Sequence, residues 1–561
     1  MEISDSEVRT TIAKLADVVR AENIHSTGYL DLYVGHDALD SLNNVNNQVI
    51  YGRRGSGKTH LLKALQERIN GEFAESRRIA IYIDSRRILP HSESNSLIPE
   101  QIAFLVFRNI IQKLIDAFSE NVRPIFGRAD VISIRTDPLD QDAKETLNRI
   151  LKTINLELLG TSIRRLAEVP VTREEISKTN KKLILSSSPE AAYDKENELR
   201  NQTTVKETSF ISIFDIAENL EKLVEWLDLN RVICLVDEWS EVPVSAQRHL
   251  AEMIKKAFIA SKFSFKIAAI PNRTDLGIKT GEKFYGLEDG GDIFGYQLDN
   301  RYVFEIDKVK TRHFFNQLLH KHIGAITPEL TLKLLGKKRT ENFINLFLTN
   351  KALGELLIAS AGIPRDFINL FIYSYEQFKD SNAKHISVKN IRLATSSWYE
   401  TDKKKQVDEH PIEKALLQAI VQEIVVNKNS SHFMIGEQYS TNSHIQSLID
   451  FRVLHLRKKG YSHKDLAKET FNVYSIDYGC YNHLNITRTN LDNDFLSNIS
   501  VHENIRDIRR IYLNDLFMQN FQLNIGEAFY CPLCKKAVDI NHPAYVKLKI
   551  CNHCFEKIET K

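Results

Sequence analysis

The chain has 561 residues, of which 42% are hydrophobic and 26% charged, and its formal net charge is +2. That length predicts roughly three or four domains, and the composition is ordinary for a globular protein. With no global basic field and no apolar run of the ~18 residues a membrane span needs, nucleic-acid contact would have to come from local patches and no membrane partner is expected. Gly and Pro are scarce, 22 and 13, which favours long helices. Met1-Glu2-Ile3-Ser4-Asp5 lacks the basic head and apolar core of a secretory signal. Four of the six cysteines cluster near the end as two C-x-x-C pairs. Both features point to a reducing cytoplasm and metal binding, not to disulfides.

Residues 1–46 read as a helical lead-in, with a helix over Val8–Ala21 and an end at Tyr33-Val34-Gly35-His36. Asn47–Tyr51 is strand-like. Gly52-Arg53-Arg54-Gly55-Ser56-Gly57-Lys58-Thr59 then matches G-x-x-x-x-G-K-[ST] at every fixed position. A helix over Thr59–Ile69 follows, with Leu61, Leu62, Leu65 and Ile69 apolar. Strand, loop and helix in this order are the setting of a phosphate-binding loop and not of a chance Gly-rich turn. Glycines let backbone N–H groups curl around phosphate oxygens, and the helix N-terminus adds its positive dipole end. Lys58 would reach the β- and γ-phosphates, and the Thr59 hydroxyl would ligate Mg²⁺. The residues expected against ATP are Gly52 to Thr59 and the adjoining His60.

The core continues with a strand over Ile79–Asp84 and an amphipathic helix over Ile102–Phe118. Residues 121–210 are an insertion. Its polar part, Thr172–Thr208, carries Ser186-Ser187-Ser188-Pro189 and reads as a loop or an exposed hairpin. After a helix over Ile213–Leu227 comes Val232-Ile233-Cys234-Leu235-Val236-Asp237-Glu238, an unbroken apolar run ending in two acids. Such runs suit a parallel sheet covered on both faces, and the carboxyl ends of its strands are where open α/β sheets bind ligands. Asp237 can hold Mg²⁺ through water, and Glu238 can polarise the attacking water. Phe265–Ile270 is another strand, ending at Pro271-Asn272. Tyr302–Ile306 is expected as a fifth strand, after a Gly-rich loop at Gly290–Gly295. Helices dominate from 310 to 400, and the basic, polar Thr401–Glu409 reads as a linker.

Four elements together resemble the AAA+ ATPases, and within them the initiator-like group related to origin-recognition proteins. They are the Gly52–Thr59 loop, the Asp237-Glu238 pair, Asn272, and Gly362-Ile363-Pro364-Arg365. The resemblance covers roughly residues 30–400. It implies a P-loop α/β core over 47–309 and a helical lid over 310–402. It implies that Asn272 is a first sensor orienting the water, and that Arg365 is a second sensor reaching the γ-phosphate from the lid. A guanidinium is a permanent charge with a fork that fits phosphate. The family also uses an arginine from a neighbouring subunit in a homo-oligomer; Arg301 is the best positional candidate and Arg273 its rival. The long insertion departs from a minimal core.

Beyond the lid, an amphipathic helix is expected over His410–Val426, a strand at Phe433–Ile435, helices over His444–Lys458 and Ser462–Thr470, and a strand over Val473–Tyr478. Residues 408–487 thus resemble the winged-helix domain that initiator-like ATPases carry. Arg452, Arg457, Lys458, Lys459, Lys464 and Lys468, with Tyr461 and His463 interleaved, form a basic cluster able to meet a phosphate backbone. The bland alternative is a solvated helix end with protein contacts. Residues 488–561 hold a linker helix and Cys531-Pro-Leu-Cys534 with Cys551-Asn-His-Cys554. That spacing is C-x₂-C-x₁₆-C-x₂-C, in the zinc range. It resembles a zinc ribbon, with four thiolates on Zn²⁺ and no position open for catalysis. Lys535, Lys536, Lys547 and Lys549 decorate it. His542 and His553 are unneeded as ligands, and Cys234 and Cys480 are expected to be buried packing residues.

The sequence thus predicts an ATP hydrolase driving conformational change or assembly on DNA or a partner protein. The rival is a STAND-like nucleotide switch in bacterial anti-phage defence, acting with a separate effector chain. A scaffold that binds ATP without turnover is disfavoured by the intact acidic pair.

Overall fold

A computed structural model of the chain describes residues 2–24, 28–88, 97–121, 170–172, 208–210, 213–299, 301–304, 307–336, 339–462, 469–482 and 511–558. The chain divides into two compact units. One comprises Gly28–Gly52 and Gly57–Leu298; the other comprises Met1–Thr27, Arg53–Ser56 and Asp299–Lys561.

The first unit is built on five parallel strands: β1 (Gln48–Tyr51), β2 (Arg78–Asp84), β3 (Arg231–Asp237), β4 (Phe263–Ala269) and β5 (Phe294–Gln297), in the order β2–β3–β4–β1–β5. Helices α1 (Lys58–Gly71), α2 (Pro99–Asn121), α3 (Ile213–Trp226) and α4 (Val244–Phe258) accompany it. Strand side chains alternate between faces, and here both faces are covered. Val232, Cys234 and Val236 pack in one apolar cluster with α2, α3 and α4. Ile233 and Leu235 pack in the other, with Leu61, Leu62 and Leu65 of α1. This is why β3 reads as an unbroken apolar run. Within the insertion, Pro170–Thr172 pairs antiparallel with Thr208–Phe210. The remainder of 122–212 lies outside the described residues.

The fifth strand is not where the sequence suggests. Arg301–Phe304 lacks strand structure, and the expected span's last two residues lie outside the described ones. The strand is Phe294–Gln297, partly inside the stretch read as a Gly-rich loop. It pairs with β1 through Val49 opposite Gly295. As an edge strand it has no need of an apolar run, so its weak pattern hides it.

In the second unit, an N-terminal helix (Ser6–Lys14) joins α5 (Lys308–Ile326), α6 (Pro328–Leu335), α7 (Asn350–Ala359), α8 (Pro364–Phe378) and α9 (Val388–Trp398). The expected linker Thr401–Glu409 is instead helical. A wide turn at Tyr399–Lys403 runs into α10 (Lys404–Asp408), with Lys403 and Val407 buried. After α11 (Pro411–Ile420) come β6 (His432–Gly436), α12 (Ser443–Asp450), β7 (Leu454–Ser462), β8 (Thr470–Ile476) and β9 (Tyr512–Leu513). The sheet order is β7–β8–β6–β9. The expected helix His444–Lys458 is therefore a short helix and a strand. The chain breaks at Arg452, which has φ 61°. The expected helix Ser462–Thr470 begins at the end of β7; its residues 463–468 lie outside the described residues. The element order remains winged-helix-like, with β7 and β8 as the hairpin. Last come α13 (Asp515–Asn524) and the two-stranded β10 (Ala528–Tyr530) and β11 (Ala537–Asp539). Residues 483–510, which include most of the expected linker helix, are outside the described set. Among the described residues no helix is long and apolar enough to cross a membrane.

Candidate functional site

In the first unit the acidic pair and the lysine that ends the loop, Lys58, sit at the carboxyl ends of the strands. The Gly52 N–H donates to the Ala269 carbonyl at 3.1 Å, so the loop leaves β1 tied to β4. Lys58 is buried and donates through Nζ to the Gly52 carbonyl at 2.6 Å. Gly57, at φ +94°, starts α1. Asp237 ends β3 fully buried. Its Oδ2 accepts from the Tyr82 hydroxyl at 2.7 Å, and its Oδ1 accepts from the Glu238 N–H at 2.9 Å. Each oxygen keeps a second lone pair, so the carboxylate can still face a hydrated cation. Burial, with Asp237 beside it, pushes the Tyr82 phenol far up, and so Tyr82 stays a hydrogen-bond donor.

Glu238 has a left-handed backbone, φ 54°, which turns the chain sharply off the strand. Burial raises its carboxyl above the usual range, Asp237 adds to this, and Lys58 and Arg86 oppose it. A carboxylate moved upward toward neutrality is better matched to accept a proton from water. Arg86 is held by Asp84, Nε to Oδ1 at 3.0 Å, and lies 3.9 Å from Glu238 Oε1. Asn272 is exposed in the single turn Pro271–Arg273 after β4. His60 donates through Nε2 to the Tyr29 carbonyl at 2.9 Å and packs edge-on to Tyr33. That imidazole is committed to the protein.

The middle of the loop, Arg53–Ser56, belongs to the second unit. The Arg53 N–H donates to both carboxylate oxygens of Asp299, at 3.0 and 2.9 Å. Gly55 has φ +85°, and a Cβ there would lie 3.0 Å from Arg365 Cβ and 3.0 Å from Ile363 Cγ2. The loop therefore needs glycine for both conformation and space. The Arg365 N–H reaches the Gly55 carbonyl at 3.4 Å. Arg365 begins the last-named lid helix but one, α8, behind Pro364, whose fixed φ suits the first turn. Its Nε is buried without a hydrogen-bond partner, as is Ser56 Oγ. Burial lowers its pKa, and Arg452 adds to the effect. A half-buried guanidinium whose Nε lacks a partner, beside a glycine cradle, is a group that a phosphate would satisfy. Arg54 is exposed, and Arg301 is half-buried in a turn.

The four C-terminal cysteines converge, with their sulfurs all within 4.8 Å of one another. Cys531 and Cys554 Sγ are 3.9 Å apart, and Cys534 and Cys551 Sγ 3.7 Å. Tetrahedral Zn–S bonds of ~2.3 Å imply a sulfur–sulfur edge of about 3.8 Å, so the set fits Zn²⁺. The two knuckles repeat one geometry. The Lys535 N–H donates to the Cys531 carbonyl at 3.0 Å, and the Phe555 N–H to the Cys551 carbonyl at 2.9 Å. Lys535 and Phe555 both have φ 60°. His542 caps a helix and His553 bonds the Ala537 carbonyl, so neither is needed by the metal. Cys234 and Cys480 are buried and free, as expected.

The basic cluster shrinks. Arg452 is buried and paired with Asp366 and Asp402. Arg457 Nε donates to Ser475 Oγ at 2.7 Å. Lys458 and Lys459 are exposed where register shifts interrupt the pairing of β7 with β8, and bulges of this kind re-aim side chains. Lys464, Lys468 and His463 lie outside the described residues. Sequence reasoning missed Tyr82, Arg86, His455, Asp477 and Asp366. Apart from the Asp84 partner of Arg86, their partners are distant in sequence, and no local motif marks them.

A family model described as ORC-CDC6-like matches residues 14–323, more than half of the chain. No curated protein matches it. Solved structures that it resembles include the Aeropyrum pernix ORC2 protein in ADPNP and ADP complexes. That match has 10% identity and TM-score 0.32, covering 82% of this chain and 92% of that one. The Drosophila ORC bound to DNA gives 10% identity and TM-score 0.28, covering 85% and 92%. The Aeropyrum pernix ORC1 protein in complex with DNA gives 11% identity and TM-score 0.27, covering 87% and 97%.

Proposed function

The chain belongs to the ORC-CDC6-like family, and we propose that it is an AAA+ ATPase that binds and hydrolyses ATP to change conformation or assemble on DNA. The observation that carries this reading is the buried Asp237 with the upward-shifted Glu238 beside it, in a unit that also buries Lys58. Lys58 and the loop N–H groups would hold the phosphates. Thr59 and Asp237 would hold Mg²⁺, which when bound neutralises developing charge on the phosphates. Glu238 would take the proton of the attacking water. Asn272 and Arg365 would sense the γ-phosphate, and Arg301 would act on a neighbouring copy in a homo-oligomer. We propose a core over 47–309, a lid over 310–402, a winged-helix-like domain over 408–487 and a zinc-bearing module over 488–561. Lys458 and Lys459 on the β7–β8 hairpin support the DNA assignment, since exposed lysines on a wing meet phosphate.

ATP turnover with and without duplex DNA tests the reading. DNA should stimulate turnover. Glu238→Gln should lower turnover roughly 10²- to 10⁴-fold, the usual share of a general base, while ATP binding persists. Turnover that is indifferent to DNA would favour the nucleotide-switch alternative. Full activity in Glu238→Gln would remove the catalytic assignment.

A further inference from the structure

A chain of buried polar groups starts on the phosphate loop and ends in the sheet of the winged-helix-like region, wholly within the second unit. Arg53, His455, Asp477, Lys403, Asp366 and Arg452 are each at most 6% exposed. Arg53 Nη1 lies 2.8 Å from His455 Nδ1. A guanidinium only donates, so Nδ1 must accept. His455 Nε2, which then carries the proton, donates to Asp477 Oδ2 at 3.0 Å. The same Asp477 oxygen accepts from Lys403 Nζ at 2.6 Å. Lys403 Nζ is also 3.4 Å from Asp366 Oδ2. Asp366 directly follows Arg365 and pairs with Arg452.

The electrostatics hold His455 in one form. Burial, opposed by Asp477 and reinforced by Arg53, pushes its imidazole down to about 3. Burial alone would raise the Asp477 carboxyl, but Lys403 and His455 outweigh it and keep it ionised. His455 is thus neutral, with a single tautomer, at any ordinary pH. Placement gives the chain its meaning. His455 stands on β7, whose next residues Arg457, Lys458 and Lys459 form the basic hairpin edge. Asp477 directly follows β8, the other hairpin strand, and its N–H donates to the Val453 carbonyl at 2.9 Å. One imidazole therefore joins a phosphate-loop arginine to both strands of the proposed DNA-contacting hairpin.

We propose that His455 is a positioning residue of the nucleotide site: it fixes Arg53 of the phosphate loop against Asp477, and so transmits nucleotide occupancy to the β7–β8 hairpin. This rests on the ATP-binding reading above. A loop that rearranges around phosphates must move or reload Arg53. The buried imidazole cannot lose that partner without leaving Nδ1 unsatisfied, a cost of about 1–3 kcal/mol. By linkage, anything that fixes the hairpin changes nucleotide affinity by the same factor.

The test is hydrogen exchange on the full chain with and without Mg²⁺ and a slowly hydrolysed ATP analogue, read at the phosphate loop and at Leu454–Ser462. In the wild type both segments should gain protection. In His455→Phe the loop should still respond and β7 should not. His455→Gln, whose amide again offers an acceptor and a donor, should restore part of the β7 response; a merely space-filling role would not distinguish Phe from Gln in this way. A β7 response that survives in His455→Phe overturns the proposal, as does a wild type in which only the loop responds. That second result decides the matter even should the Phe variant not fold. A wild-type loop that shows no response to the analogue instead overturns the ATP-binding reading, and the coupling with it.

Discussion

Lys266 stands in the middle of β4, fully buried, and faces only neutral partners. Its ammonium donates to Asn44 Oδ1 at 3.0 Å, to the Asn46 carbonyl at 2.7 Å, and to the Gln48 side chain. With no carboxylate to offset it, burial pulls its pKa down to about 7. The folded pKa lies below the unfolded one, so between about pH 7 and 10 the unfolded chain binds the extra proton. Stability therefore rises with pH through that window, with a slope approaching about 1.4 kcal/mol per pH unit. Lys266→Met removes this titration. The difference in unfolding midpoint between wild type and variant should move in the wild type's favour as pH rises from 7 to 9, and a constant difference would show that Lys266 stays charged in the fold. A residue like this is invisible in the sequence, where it reads as one polar position in an apolar strand. The candidate roles of Lys58, Asp237, Glu238 and the four cysteines could be proposed from sequence because the spacings that suggest them are local. Those of His455 and Asp477 could not, because each takes its role from partners far along the chain.

At the scale of elements, the strongest constraint lies where the loop turns. Gly55→Ala would combine a left-handed φ with a Cβ placed 3.0 Å from Arg365 Cβ. Strain of this kind costs about 1–3 kcal/mol, so the variant should unfold at a correspondingly lower denaturant concentration. Denaturant titration checks this, and an unchanged midpoint would mean that the loop shifts away from Arg365 at no cost. The elements also show where pattern reading works. Strands buried on both faces, such as β3 and β4, announce themselves by unbroken apolar runs. Edge elements do not. β5 has exposed Phe294 and Gly295, so it passed as a loop. β7 does not alternate: Leu454 and His455 are buried, Leu456 and Arg457 half-buried, and Lys458–Gly460 exposed, so its lysines read as a helix end. Thr401–Glu409 passed as a linker because its charge hid the buried Lys403, whose ion pairs with Asp477 and Asp366 let it sit in the interior.

Among the described residues of the whole molecule, the C-terminal module buries few apolar side chains. Its apolar cluster consists of Cys531, Val538, Cys551 and Ile558, with Phe529 and Tyr545 partly covered. Leu533, Leu548 and Phe555 are more than 60% exposed. Four buried residues cannot offset the conformational entropy of about 30 ordered ones, and a Zn²⁺ held by the four thiolates would supply the difference. A strong chelator should therefore release about one Zn²⁺ per chain, and the amides of residues 528–558 should then exchange freely. Those of β3, held in a sheet covered on both faces, should keep their protection. Cys551→Ser should behave like the chelated protein without treatment. Both read out by metal analysis and hydrogen exchange. Protection that persists over 528–558 without metal would show that the knuckle hydrogen bonds at Lys535 and Phe555 suffice, and that the sulfurs converge for packing. Loss of protection in β3 on chelation would show instead that the module's fold and the core's are thermodynamically one.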